Sequence, residues 1–297
     1  MVGAIHGAEC ARRALLWKAA AWIAYAGTMP DTSDDRIYTA CILVIGNEIL
    51  SGRTKDANLA WLAEQLNAGG IRLREARVIS DVEEEIVRTV NEVRARYDYV
   101  FTTGGIGPTH DDITADCVAK AFGVELVEDP EAIRRLLRNY ANPADLNAAR
   151  RRMARIPVGG TLIDNPVSAA PGFQIGNVYV MAGVPKIMQA MYEGIRHRLK
   201  GGRPMLSRTI SADLPEGRMA EGLTALQGRY SDLEIGSYPY FRMGKVGAAI
   251  VLRGTDRARL DAAGGELQEL MRSLGGEPVE DKGAEKRAMW WPLWGLN

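Results

Sequence analysis

The feature that most constrains the fold is a short apolar run, Cys41-Ile42-Leu43-Val44-Ile45, that stops at Gly46 and is followed by a helical pattern. A run without polar alternation suits a parallel strand covered on both faces. The helix after it opens near Asp56, a good N-cap, and holds Leu59, Leu62, Ala63 and Leu66 at helical spacing until Gly69-Gly70. The alternation then repeats. Ile71 to Ile79 reads as a second strand. Ser80-Asp81, with Glu84 in capping-box spacing, reads as the start of a helix whose buried stripe is Val82, Ile86, Val90, Val93 and Tyr97. Tyr99 to Thr103 reads as a third strand, and Ile113, Cys117, Val118 and Ala121 mark a helix that ends at Gly123. Strands alternating with helices at these spacings predict a three-layer α/β domain with a mostly parallel sheet.

In such a sheet, ligands bind at the loops leaving the carboxyl ends of the strands. The loop after the third strand is part of TTGGIGPTHDDIT, Thr102 to Thr114. Gly104, Gly105 and Gly107 permit backbone conformations and close approaches that a Cβ would block. Backbone N–H groups of that turn, at Gly104, Gly105, Ile106 and Gly107, can receive an anion ahead of a helix. Asp111 and Asp112 add negative charge, which fits a divalent cation such as Mg²⁺ lying between carboxylate and phosphate. The plainer reading is that one of the two caps the next helix. The stretch lacks the lysine-serine/threonine ending of a Walker loop and is not a dinucleotide fingerprint. His110, a lone loop histidine, is expected to face solvent. The loop Gly46 to Asp56 falls at the same sheet edge. Within it Glu48 can hold a metal or accept from ligand hydroxyls, while Ser51, Thr54 and Asn58 can donate.

Further on, Pro130 opens an Arg-rich helical segment expected to run to about Ala154. Its run Arg150-Arg151-Arg152 reads as a solvated face, with reach to a phosphate as the alternative. Phe173 to Ile175 and Val178 to Met181 are strand-like. Ala182-Gly183-Val184-Pro185 leads into a helix with Pro185 in its first turn and Ile187, Met188, Met191, Ile195 and Leu199 as its stripe. Gly201-Gly202 is a plausible boundary. Beyond it the order is strand (Met205 to Ser211), helix (Glu216 to Gln227), strand (Leu233 to Tyr238), strand (Val246 to Arg253) and helix (Asp256 to Leu274), a small β-α-β-β-α unit. Residues after Gly276 lose periodicity, and the Trp290-Trp291-Pro292-Leu293-Trp294 cluster has no regular period. The expected organisation is an extension over 1–38, an α/β domain over 39–201, a small α+β domain over 202–276 and a tail over 277–297.

The first residues carry a weak likeness to a secretory signal, with Arg12-Arg13 before an apolar stretch, but Lys18 interrupts it. A disordered or loosely helical extension, or a start upstream of Met29, is the expectation, and the stretch is too short to span a membrane. Lys+Arg 37 against Asp+Glu 37 leaves no basic field for bulk nucleic-acid binding. Cys10, Cys41 and Cys117 make neither a disulfide framework nor a metal knuckle, which fits a reducing cytoplasm. His6, His110 and His197 are too scattered for a zinc site.

Three segments together, GNEILSGRTKDAN, VFTTGGIGPTHDDIT and MAGVPKIMQAM, resemble the molybdopterin-binding (MoaB/Mog) family, most closely the amino-terminal module of the competence/damage-inducible protein A family. The resemblance covers Thr39 to about Leu199, and the following unit resembles that family's small KH-like domain. It implies a pocket for molybdopterin or a nucleotide diphosphate, built from Gly46, Glu48, Ser51, Asp56, Asn58, Thr103, Gly104, Gly105, Ile106, Gly107, Thr109, Gly183 and Pro185. Asp112, supported by Asp111, would act with a metal that Asp112 and Glu48 hold. It further implies either metal-dependent cleavage of a diphosphate, as with ADP-ribose, or a carrier role in molybdenum-cofactor synthesis, and a dimer or trimer of this chain. A similar module precedes FAD synthase domains, so the choice among molybdopterin, ADP-ribose and FAD stays open. Asn47 stands where relatives often have Asp or Thr. The carboxyl-terminal amidase domain of longer relatives has no counterpart here, and the small unit lacks the basic GXXG loop of a nucleic-acid binder.

Overall fold

Every residue of the first apolar run is buried, and it is the inner strand around which the larger unit is layered. The computed structural model describes residues 36–242 and 244–280. The chain divides into two units, Met1–Arg203 and Pro204–Asn297. The extension before residue 36 and the tryptophan cluster lie outside the described residues.

In the larger unit β1 (Tyr38–Ile45), β2 (Ile71–Ile79), β3 (Tyr99–Thr103), β6 (Thr161–Ile163), β7 (Gly172–Ile175) and β8 (Val178–Met181) form a six-stranded sheet, with β4 (Leu126–Glu128) and β5 (Arg155–Pro157) as a separate antiparallel pair. The order is β2-β1-β3-β8-β7-β6. The first four strands run parallel, and β7 and β6 join antiparallel. Because side chains alternate along a strand, β1 divides the core in two. Cys41, Leu43 and Ile45 pack with helices α3 (Glu83–Arg94) and α4 (Thr114–Phe122). Ala40, Ile42 and Val44 pack on the other face with α2 (Asn58–Ala68) and α7 (Pro185–Ile195). Three layers follow from that alternation.

Phe101, with Phe173, is the largest fully buried side chain among the described residues. Its ring stacks on Tyr179 at 5.2 Å and lies 6.2 Å from Tyr192, which in turn meets Trp61 edge-on at 5.5 Å. This aromatic column ties the strand that ends in the glycine loop to the α2–α7 layer. The two buried thiols serve as small apolar groups, and burial pushes both Cys41 and Cys117 up to about 12.

Several local expectations fail for identifiable reasons. The expected loop after β1 opens with a one-turn helix, α1 (Asn47–Leu50), too short to leave a periodic signal. The 130–154 segment is not one helix. Asp129 caps α5 (Pro130–Leu137) by accepting from the Ala132 N–H at 2.8 Å. The chain then turns, and Asn142 and Asn147 cap two further short pieces, a turn over 143–145 and α6 (Ala148–Arg151). Asparagine side chains that compete for backbone N–H groups break the run. Asp81 does not cap α3; it accepts from Asn47 Nδ2 across the first loop, and Val82 is exposed at the N-cap position. The 3-residue strands β4, β5 and β6 are too short to leave a periodic signal.

The smaller unit has β9 (Leu206–Ala212), α8 (Glu216–Arg229), β10 (Glu234–Arg242), β11 (Lys245–Gly254) and α9 (Arg257–Ser273), the β-α-β-β-α order read from the sequence. Its sheet runs β10-β11-β9-β12, and β12 (Val279–Glu280) adds an edge strand where periodicity was expected to end. Arg208 holds that strand by a two-pronged pair with Glu280, 2.8 and 2.9 Å. Among the described residues no helix is long and apolar enough to cross a membrane.

Replacing Phe101 with alanine should cost about 3–5 kcal/mol of unfolding free energy. A urea titration followed by tryptophan fluorescence measures it, since Trp61 reports on the same column.

Candidate functional site

β1, β3 and β8 are neighbours in the sheet and run in the same direction, so their carboxyl ends deliver three loops to one edge. The loops touch. A methyl group on Gly104, whose φ is 102°, would lie 2.2 Å from the Ile45 carbonyl oxygen, and one on Gly183 would lie 3.2 Å from the Gly104 Cα. Only glycine permits this contact between the exits of β1 and β3. Asn58, 3% exposed, closes the third side by donating from Nδ2 to the Gly183 carbonyl at 2.7 Å.

Inside the third loop the bonds are local. The Thr114 hydroxyl donates to the Gly104 carbonyl at 3.1 Å, and the Thr114 N–H donates to the Gly105 carbonyl at 3.0 Å. Thr109 donates to Asp112 Oδ2 from its backbone N–H at 2.9 Å and also from its hydroxyl. The Asp112 N–H returns to the Thr109 carbonyl at 3.3 Å. The Asp112 carboxylate lies over the Cα of Gly107, in the space a methyl group there would need, 2.5 Å from Oδ2. Neither aspartate bonds the opening N–H groups of α4, whose N-cap is Ile113, so the capping alternative does not hold. After these bonds, the backbone N–H groups of Gly105, Ile106 and Gly107 have no acceptor among the described residues. Successive N–H groups left open at a strand-to-helix loop form an anion receptor.

Electrostatically the edge is mixed. The Thr109 hydroxyl, and after it the residue's own backbone N–H, hold the Asp111 carboxyl below its ordinary value. The same Thr109 hydroxyl also donates to Asp112, and the Asp111 backbone N–H serves Asp111 alone. Glu48 is exposed and its carboxylate folds over Gly46, 2.4 Å from where a methyl group would stand. α7 begins at Pro185 after Val184 with no side-chain cap; Pro185 has no N–H and the Ile187 N–H donates to the Val184 carbonyl at 3.0 Å, so of its first turn the Lys186 N–H is left open at this edge among the described residues.

The sequence-predicted residues divide into two sets. Gly46, Glu48, Gly104, Gly105, Ile106, Gly107, Thr109, Asp111, Asp112, Gly183 and Pro185 come together on these three loops. Three others are used internally. Asp56 accepts from the Leu59 N–H at 2.8 Å and so opens α2. Asn58 is committed to Gly183 through Nδ2, its Oδ1 left buried without a partner. Thr103 is buried within the sheet between Val44 and Met181. Ser51 is exposed and donates to the Glu48 carbonyl at 3.3 Å. His110 is solvent-facing, its side chain 96% exposed. Sequence reasoning passed over Thr114, which fastens Gly104; its signal was a threonine just after the paired aspartates. For Asn47 it noted only the departure from relatives; the bond to Asp81 fixes the first loop against the end of β2.

With the geometry established, comparison with known proteins places the chain. A family model described as "Probable molybdopterin binding domain" matches residues 41–201, and one described as "FAD synthase, middle domain" matches residues 204–276. An Archaeoglobus fulgidus protein is 33% identical over 231 residues, 77% of this chain and 96% of its own length. A CinA-like protein from Desulfosudis oleivorans is 32% identical over 255 residues, 82% of this chain and 61% of its own. The solved structure of the protein CinA from Thermoplasma acidophilum, described as of unknown function, is 35% identical, with a TM-score of 0.52 over 55% of this chain and 98% of that one. Several relatives extend beyond the shared stretch, the match spanning 60–62% of their length.

A Gly104→Ala substitution should cost about 1–3 kcal/mol, because it combines a disfavoured φ with a clash against backbone. Thermal unfolding checks the loss; a shift within error of the parent would show that the two exits need not touch.

Proposed function

The chain belongs to the molybdopterin-binding domain family, and from that premise we infer that the β1, β3 and β8 loops bind the diphosphate of a pterin or nucleotide and cleave it. The observation that carries the reading is the set of open N–H groups at Gly105, Ile106 and Gly107, beside carboxylates rather than lysines. N–H groups of fixed loops stabilise phosphate charge without reorganising, and they stay directed at it as that charge redistributes. Gly104 and Gly183 keep the loops close enough for a ligand to touch all three. The uncapped start of α7 adds its positive end.

Paired carboxylates beside a phosphate site need a counter-charge. Among the described residues, no three or more His, Cys, Asp and Glu side chains group as a metal cage. That argues against a cation held by protein ligands alone. It fits the Mg²⁺ mode, in which one or two carboxylates add to water and substrate phosphate oxygens. Asp112 and Glu48 would be those carboxylates, each lying against a loop glycine where no Cβ intrudes. A divalent cation bound there would neutralise phosphate charge and polarise phosphorus toward water. Asp112 is held by two Thr109 donors at Oδ2, which orients Oδ1 without consuming it. Asp111, charged at neutral pH and exposed, adds to the field that attracts a cation. ADP-ribose is the first diphosphate to try, with FAD and molybdopterin as the alternatives.

Asp112→Asn keeps an oxygen for Thr109 and removes the charge, so the variant should keep its thermal midpoint. Turnover of ADP-ribose with Mg²⁺ should fall by about 100-fold or more. Unchanged turnover would overturn the catalytic assignment. Saturable calorimetric binding by the parent with no product would instead favour a carrier.

A further inference from the structure

On the α4 side of the glycine loop lies a recess whose walls include Ile106, Gly107, Asp112, Arg152, Arg155 and Phe173. Its arginines differ in how they are matched. Arg155 pairs with Asp116, and Arg151, next in the basic run, pairs with Glu128. Arg150 donates to the Asp145 carbonyl at 2.6 Å and stacks over Tyr140 at 4.7 Å. Arg152 has no carboxylate partner among the described residues. Its Nη2 reaches the Asp112 backbone carbonyl at 3.4 Å, and its Nε is buried with no hydrogen-bond partner at all. Of the two carboxylates on the recess, Asp116 is engaged by Arg155, and Asp112 meets Arg152 through its backbone carbonyl rather than its carboxylate.

A shielded guanidinium donor without an acceptor is costly, and in a folded protein such a group calls for an explanation. Here it stands on the flank of the loop whose N–H groups at Gly105 to Gly107 are also open. We propose that Arg152 is an anion-binding residue of this site and grips a phosphate oxygen of the ligand from the α4 side. The inference rests on the reading that the glycine loop receives phosphate. The recess, about 10 Å³, holds no more than a water, so the oxyanion sits at its mouth against the guanidinium, whose planar fork can grip two oxygens of one phosphate in a way an ammonium cannot. The bond to the Asp112 carbonyl couples Arg152 to the loop, so the N–H groups and the cation close on the phosphate from two sides. The arrangement also removes part of the repulsion that Asp111 and Asp112 exert on an incoming diphosphate.

The test uses the full chain with inorganic pyrophosphate as probe, in EDTA at low salt, read by calorimetry. Binding of the parent is expected to be saturable. Arg152→Gln should weaken it by about tenfold or more at an unchanged thermal midpoint, and Arg152→Lys should recover only part of the loss. Affinity of Arg152→Gln within about twofold of the parent would overturn the proposal, as would a parent that does not bind pyrophosphate. If Arg152→Gln fails to fold, Arg152→Lys decides alone, because parental affinity there contradicts a two-pronged grip. Malonate in place of pyrophosphate checks the phosphate assignment, and equal affinity for it would overturn that assignment. The measurement needs neither Mg²⁺ nor turnover. A chain that cleaves nothing yet loses pyrophosphate binding with Arg152→Gln would sink the catalytic reading and leave this one standing.

Discussion

Everything at the candidate site depends on how closely the exit of β3 can approach the exit of β1. The Gly104 Cα packs against the Ile45 carbonyl so tightly that a methyl group would sit 2.2 Å from the oxygen. The Gly104 N–H bonds the Met181 carbonyl at 3.2 Å on the other side. That one residue is therefore clasped between the ends of β1 and β8. The parallel sheet sets the strand spacing, and the glycine lets the loops meet rather than splay. A larger residue would separate the carboxylate loop of Glu48 from the N–H loop of Gly105 to Gly107.

Around that contact, polar side chains near the edge act in two distinct ways. Some hold the scaffold: Asn58 fixes Gly183, Thr114 fixes Gly104, Asp56 opens α2, and Asn47 with Asp81 pins the first loop to β2. Others face outward with capacity to spare, namely Glu48, Asp111, Asp112 and the backbone of the glycine loop. The scaffold set lets the outward set stay open, because each internal bond is made by a residue outside that set. Rigid placement of unsatisfied donors is what a phosphate site requires.

How much of this could be read from the chain alone varies with the physics involved. Strand β1 was legible as an unbroken apolar run buried on both faces, the helices after it because one buried face imposes a period, and β2 and β3 fall on the expected residues. The 130–154 segment was not, since asparagine capping bonds broke a helix that composition favoured. Strands β4, β5, β6 and β12 were invisible because two or three residues carry no period, and their partners in the sheet decide them. Asp81 shows a subtler limit. Its spacing to Glu84 suits a capping box, yet a donor far away in sequence, Asn47, competes for its carboxylate.

The glycine-aspartate motif and its place after a buried strand were determined by the sequence itself, since short-range sterics require glycine where φ is 102° and 69°, at Gly104 and Gly105. The alternation of strand and helix likewise determined the layers. Which polar groups remained free was decided only by the tertiary structure. Thr103 and Asn58 looked like ligand contacts in the chain and became sheet and staple. Arg152 looked like part of a solvated basic face and became a shielded cation beside the aspartate loop. A residue type states what bonds a side chain can make; only the packing of distant segments determines which of those bonds are already made.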